Sequence, residues 1–337
     1  MVASTLPNEL RLLDRSQVNE LAWNTCVSSS SQRTVYGYSW YLDAVLPKPD
    51  WCWMAVVLTD QNGGYRAVLP VPLRRKRIAG MRYAWVVHQP VFCQFLSVFA
   101  TGPALSVEPF YALVCRQFRY GSIFCVKSPA AVWPIAVEVR EQFTHTLDLS
   151  ASYEQLVAGY SADRRLNLRR ALAAGWVVEE SVDPEPIIDL FREYHADAID
   201  GGVADWAYTI FRNLVVELSR RGLATLQYAV RNGRIEAGAL FVQEGDRIIY
   251  LFNAASTDGR QGQARTLLLD QLIRRQAGQP LILDFESPDK ASITAFYGSF
   301  GAVKEPYYSV RWNRLNRVEK LVRRIIRPQT RRRSEKP

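Results

Sequence analysis

Three β-type runs follow one another between residues 224 and 254, separated by Asn232-Gly233 and by the segment Glu244 to Asp246. Asn-Gly suits the positive φ angles of a two-residue hairpin turn, so Ala224 to Val230, Ile235 to Val242 and Arg247 to Ala254 are expected to form an antiparallel meander. Upstream, the capping box Ser152-Tyr-Glu-Gln155 opens a helical stretch reaching about Ala174. Gly175 ends it, and Trp176 to Glu180 reads as a strand. Asp183-Pro184 starts a helix through Ala198 with Ile187, Ile188, Phe191 and Tyr194 at helical spacing, and Trp206 to Arg221 forms another. Downstream come a loop from Ser256 to Gly262, a helix from Gln263 to Gln276, a short strand Leu281 to Phe285, a helix Lys290 to Ser299 and strands from Val303 to Trp312.

The first half alternates apolar runs with turn signals. Trp51 to Leu58 and Tyr65 to Leu69, joined across Asn62-Gly63-Gly64, read as a hairpin. Pro70 and Pro72 lack amide donors, so the second strand is expected to leave its pairing near its end or to lie at an edge, with Arg74 to Arg77 as a basic turn. A strand from Arg82 to Val87, an apolar loop from His88 to Phe95, a helix from Val107 to Phe118 and strands at Ser122 to Val126 and Phe143 to Leu149 complete it.

A chain of 337 residues exceeds the usual single domain. The organisation expected is residues 1–148, residues 149–313 and a tail, 314–337. Hydrophobic residues make up 48% and charged residues 22%, which excludes a disordered or fibrous chain. The net charge of +9 sits almost wholly in the tail: from Arg314 to Pro337 ten Lys/Arg face two Glu. The remainder is nearly neutral, which argues against a broad nucleic-acid groove on the folded body. Cys26, Cys52, Cys93, Cys115 and Cys125 are odd in number and widely spaced, against both a disulfide framework and a zinc site. With no apolar run in the first fifteen residues and no stretch of 18 apolar ones, the expected location is cytoplasmic.

The order helix, helix, meander, loop, helix, strand, helix, strand, with Gly259-Arg-Gln-Gly-Gln-Ala264 opening one helix and Phe296-Tyr-Gly-Ser-Phe-Gly-Ala302 leading into the last strands, resembles the GNAT acetyltransferase fold over residues 150–313. Ser161-Ala-Asp-Arg-Arg-Leu-Asn-Leu-Arg-Arg-Ala171, Leu283-Asp-Phe-Glu-Ser287 and Phe296-Tyr-Gly-Ser-Phe-Gly301 make the closer likeness one to FemABX-type and BioF2-like proteins. That resemblance implies an α/β chain of α+β mixed-sheet type with two tandem GNAT-like domains. It also implies an acyltransferase that moves an acyl group from acyl-CoA, such as acetyl-CoA, to an amine, with no metal.

In the resembled family the pattern Arg/Gln-x-x-Gly-x-Gly/Ala binds the pyrophosphate of the acyl donor. Backbone amides at a helix start, with the positive end of its dipole, form an anion site whatever the family. Gly262 and Ala264 match the small positions, Gly259 stands where Arg or Gln is expected, and Arg260 comes one residue late. The donor-binding residues on this reading are Arg260, Gln261, Gly262, Gln263, Ala264 and Arg265, against a ligand-free β-to-α loop. Tyr297 falls where the family's tyrosine protonates the leaving thiolate, although Phe296, Tyr297 and Phe300 also suit a packed helix end. Strand alternation would put Asp284 and Glu286 on one face, with Glu286 the candidate base, against its capping the helix that begins near Asp289 or pairing with an arginine. Arg165 and Arg169, one helical turn apart, are candidates for binding an anionic substrate, against a solvated helix face. His88, His145 and His195 stand isolated from one another.

In the tail, Leu315, Val318, Leu321, Val322 and Ile325 recur at helical spacing among Arg317, Lys320, Arg323, Arg324 and Arg327. This basic amphipathic helix either packs on the first domain or touches anionic membrane, which would make the protein peripheral at the inner membrane face. The acceptor expected is the amine of a small molecule or a cell-envelope precursor. The rivals are FemABX-type transfer from aminoacyl-tRNA to a cell-wall precursor, with tRNA ranked behind coenzyme A, and a non-catalytic GNAT-like binding module.

Overall fold

The computed structural model describes residues 10–60, 63–78, 81–102, 105–199, 202–287, 290–316 and 319–320. Its contacts divide the chain into two units, Met1–Glu141 with Tyr308–Pro337, and Gln142–Tyr307.

The first unit begins with β1 (Leu10–Asp14), α1 (Glu20–Ser28) and α2 (Ser39–Val45), none of which announces itself in the sequence. Asn19 caps α1 by accepting from the Ala22 amide, and the helix buries Trp23, Cys26 and Val27 at helical spacing. Then follow β2 (Trp51–Thr59), β3 (Tyr65–Ile78), β4 (Met81–His88), β5 (Phe99–Ala100), α3 (Glu108–Gln117) and β6 (Tyr120–Val126). The order from β1 through β4 to β6 is sequential, and β4 with β6 is the parallel pair. The prolines do not release β3 from β2; of the two expectations it is the edge that holds, and only locally. Pro70 sits opposite Ala55 and Pro72 opposite Trp53 within a register running to Arg74. Residues two apart in a strand point their backbone groups the same way. Between Val68, where pairing with β5 stops, and Leu73, where pairing with β4 starts, β3 has no partner on its second side among the described residues, so missing donors there break no ladder. Arg74 and Arg75 accordingly lie in the strand rather than in a turn.

The chain passes into the second unit within β7 (Glu138–Asp148). There follow α4 (Tyr153–Ala158), α5 (Ala162–Ala173), β8 (Val177–Ser181), α6 (Glu185–Tyr194), α7 (Asp205–Arg220), β9 (Ala224–Arg231), β10 (Arg234–Glu244) and β11 (Arg247–Ala255). Last come α8 (Thr257–Gln261), α9 (Ala264–Gln276), β12 (Ile282–Asp284), α10 (Ala291–Gly298) and β13 (Val303–Asn313), whose residues from Tyr308 on pair with β6 in the first unit. The helical stretch from Ser152 is broken at Gly159 because Ser161 caps a second helix through the Arg164 amide. In this unit β7, β12, β11, β10, β9 and β8 lie in that order, and of the pairs they form β11 with β12 is the parallel one. The meander β9 to β11 is present as expected, with Asn232 at φ 53° and Gly233 at φ 73° in its first turn. Its core gathers Phe241, Tyr250, Leu268, Leu272, Phe285 and Phe300. Among the described residues no helix is long and apolar enough to cross a membrane. The amphipathic helix expected in the tail falls largely outside the described residues.

Candidate functional site

The parallel pair β11 and β12 is in register for three residues only, Arg247 with Ile282, Ile248 with Leu283 and Ile249 with Asp284. There β12 ends, while β11 continues to Ala255. The two strands thus part in the middle of the sheet. Leu251 is an extra residue in β11, since Phe241 faces Tyr250 and Leu240 faces Phe252, and such a bulge re-aims the strand. Past it, Ser256 donates its amide to the Glu236 carbonyl of β10, so ladder alternation turns the backbone groups of Ala255 and Asn253 away from β10. At Ala255 they meet His195, whose Nε2 lies 3.1 Å from both the carbonyl oxygen and the amide nitrogen. Burial and the charges of Arg265 and Arg260 hold the His195 pKa below its ordinary value.

The corner after β11 is more ordered than a loop. Ser256 accepts from the Gly259 amide, donates to the Glu236 carboxylate, and starts the short helix α8. Gly259 is buried, and a Cβ built on it would lie 2.1 Å from the Glu236 carbonyl oxygen. The missing Arg or Gln at this position therefore has a steric cause: the corner is pressed onto β10. Gly262 is needed for a different contact. Its carbonyl accepts from the Trp176 indole at 2.7 Å, and a Cβ would lie 2.4 Å from that ring, which Arg231 covers at 4.2 Å on its centroid. Gln263 takes a left-handed conformation, φ 56° and ψ 31°, and turns the chain into α9. The amides of Ala264, Arg265 and Thr266 open that 13-residue helix, with no carbonyl of the preceding turn of α9 to bond. Arg260 and Gln261 are exposed.

Arg265 reaches back to β11 and donates to Asn253 Oδ1 at 3.1 Å. Tyr297 of α10, 7% exposed, stacks on Phe285 at 4.6 Å and stands edge-on to Tyr250 at 6.3 Å. Burial pushes its phenol pKa up to about 12, against the opposing influence of Arg265 and an Asn253 hydrogen bond, while Glu286 raises it further. The structure thus brings Tyr297, Glu286, Arg265 and Asn253 together where β11 and β12 part. Glu286 does not arrive by strand alternation: β12 ends at Asp284, and Glu286 sits at φ 45°, a left-handed conformation that costs a non-glycine residue about 1–3 kcal/mol. Asp284 is committed elsewhere, paired with Arg247 at 2.9 Å and accepting from Thr144 and the Glu286 amide.

Arg165 and Arg169 are exposed, and Arg165 donates to the carbonyls of Ala158 and Tyr160. Their neighbour Arg164 is the one turned inward, 4% exposed. It donates to Ser299 Oγ at 2.9 Å and Thr266 Oγ1 at 2.5 Å, and its guanidinium lies over Phe296 and Phe300 at 4.2 and 4.3 Å. Burial, with Arg265 close by, pushes its pKa down to about 10. It ties α5 to α9 and α10. Arg164, Asn253 and Tyr250 went unread in the sequence because their roles come from tertiary burial.

Residues 161–286 match the family model described as an acetyltransferase (GNAT) domain. Among curated proteins no sequence matches the chain. Similar solved structures include FemX, with 12% identity and a TM-score of 0.64 over 94% of this chain and 100% of that one. The C-terminal domain of a putative lysylphosphatidylglycerol synthetase from Agrobacterium fabrum superposes with 13% identity and a TM-score of 0.50, covering 91% and 94% of the two chains. A tandem GNAT protein from the clavulanic acid biosynthesis pathway does so with 12% identity and a TM-score of 0.50, covering 90% and 98%. With its second unit holding the parted β11 and β12, the chain carries a GNAT domain and has the fold of the tandem GNAT proteins.

Proposed function

We propose that the second unit is an N-acyltransferase that draws an acyl group from acyl-CoA and delivers it to an amine, on a small molecule or a cell-envelope precursor. The observation that carries this reading is the parting of β11 from β12 with Tyr297, Glu286, Arg265 and Asn253 gathered at the fork. Coenzyme A presents amides, a pyrophosphate and, when acylated, a thioester, and the chain offers groups suited to each. The outward backbone groups of Asn253 fit an amide-bearing arm. The opening amides of α9, from Ala264 on, together with the positive end of its dipole, fit phosphate oxygens. Gly262 and Gln263 set that turn, while Arg260 and Gln261, exposed beside it, can reach toward phosphate. The thioester supplies the activated acyl group when bound.

The chain's own part is proton handling and orientation. Tyr297 holds its proton through the whole neutral range and can give it to a leaving thiolate. Glu286, half-buried near Tyr297, can take the proton that the attacking amine loses. Arg164 holds α10, and so Tyr297, against the start of α9. Arg165 and Arg169 lie on the exposed face of α5, where an anionic acceptor would meet them.

Calorimetry with coenzyme A and acetyl-CoA tests the donor. Binding that weakens at least tenfold when the exposed Arg260 is replaced by Glu, which sets a carboxylate beside the proposed phosphate site, supports the reading. No heat from either ligand would remove coenzyme A from it.

A further inference from the structure

Tyr250 is enclosed on β11 one residue before the Leu251 bulge, and its hydroxyl has no hydrogen-bond partner among the described residues. Its ring stacks on Phe241 at 5.1 Å and meets Tyr297 edge-on. A phenol so placed has left bulk water without gaining a protein partner among the described residues. The proton transfers assigned to Tyr297 and Glu286 make no use of it.

The surroundings say what would satisfy it. The charge of Arg265 acts on the phenols of both Tyr250 and Tyr297. Arg265 and its neighbour Arg164 form no ion pair with any described carboxylate, and Glu286 is the acidic group that acts on Tyr297. The fork is therefore rich in donors and positive charge. An oxygen acceptor would pair with the Tyr250 hydroxyl. A protonated amine beside that hydroxyl would meet the charge of Arg265, and a plain alkyl group would leave the phenol unpaired.

We infer that the acyl group carried to this fork bears an oxygen substituent, a hydroxyl, oxo or carboxylate a few bonds from its carbonyl, and that Tyr250 selects it by donating a hydrogen bond. The inference rests on the acyl-donor reading given under Proposed function. It separates this site from one built for aminoacyl groups, which carry an ammonium in that position.

Calorimetry on the full chain and on Tyr250→Phe, with coenzyme A, butyryl-CoA, 3-hydroxybutyryl-CoA, succinyl-CoA and β-alanyl-CoA, tests it. The wild-type protein is expected to bind the 3-hydroxybutyryl or succinyl donor about tenfold or more tightly than butyryl-CoA, with β-alanyl-CoA weakest. Tyr250→Phe should bring the oxygenated donors to the butyryl level and leave coenzyme A unchanged. Equal wild-type affinities, as when a water already fills the place, or a preference that persists in Tyr250→Phe, would overturn the inference while leaving the donor reading intact. Tightest binding of β-alanyl-CoA would overturn it in favour of aminoacyl transfer. Should coenzyme A and all four thioesters fail to bind, the donor reading falls and this inference falls with it.

Discussion

The carbonyl oxygen of Glu236 lies 2.1 Å from where a side chain on Gly259 would begin. This contact explains why the position that carries Arg or Gln in the resembled pattern carries glycine here. Restoring the pattern is expected to damage the protein rather than improve it. Gly259→Arg should destabilise by more than about 3 kcal/mol, because backbone must shift to admit the Cβ. Chemical denaturation of purified variants gives the measurement, and an unchanged midpoint would mean that the corner is not pressed onto β10.

Tyr297→Phe keeps the stack on Phe285 and removes the proton, so the fold should persist while turnover drops about 100-fold or more. The phenol pKa, raised to about 12, carries a sign as well. Its contribution to stability is intact below the ordinary tyrosine value of 10 and is lost as pH climbs from there through about 12, because the unfolded chain ionises first. Turnover in the wild type should accordingly show no alkaline fall from this group below about pH 11. A limb near pH 10 that vanishes in the Phe variant would mean that the tyrosine is exposed when it works.

What could be read in advance divides along a physical line. Asn232-Gly233, the capping box at Ser152 and the helical spacing of Ile187, Ile188 and Phe191 are local signals, and the elements they indicate are present. Pro70 and Pro72 correctly signal an open side, but not that β3 stays paired with β2 and runs on through Arg74 and Arg75, because the sequence does not show strand order. Glu286 was approached through strand alternation, yet β12 stops at Asp284 and a left-handed residue turns the chain instead. Among Arg164, Arg165, Arg169 and Arg170, the residue that faces inward is chosen by the packing of α5 on α9 and α10, which no window of sequence contains. The first two helices went unmarked since their apolar positions belong to a core assembled from distant strands.

His195 gives an acid-side prediction. Burial and two arginines depress its pKa, so its contribution is intact above its ordinary value of 6.5 and is lost as pH falls through the lower, folded value. Unfolding midpoints between pH 7.5 and pH 5 should fall less steeply in His195→Gln than in the wild type. Identical slopes would show that the ring is not held neutral against Ala255.

Arg164→Lys keeps the charge but cannot reach Ser299 and Thr266 while covering two phenyl rings. It should cost about 1–3 kcal/mol and, by loosening α10, lower turnover without weakening coenzyme A binding. Near-ultraviolet circular dichroism of the Phe285, Phe296 and Tyr297 cluster reports the loosening directly, and a wild-type spectrum with normal turnover would contradict the positioning role.

The proposed acyl donor lies along β11 with its phosphates on α9 and its acyl carbon at the fork. Crystals soaked in acyl-CoA measure this most directly. The expected result is density with phosphate oxygens on the amides at Ala264 and Arg265 and the thioester beside Tyr297. Density that places the phosphates elsewhere, or a fork that stays empty at saturating ligand, would contradict it.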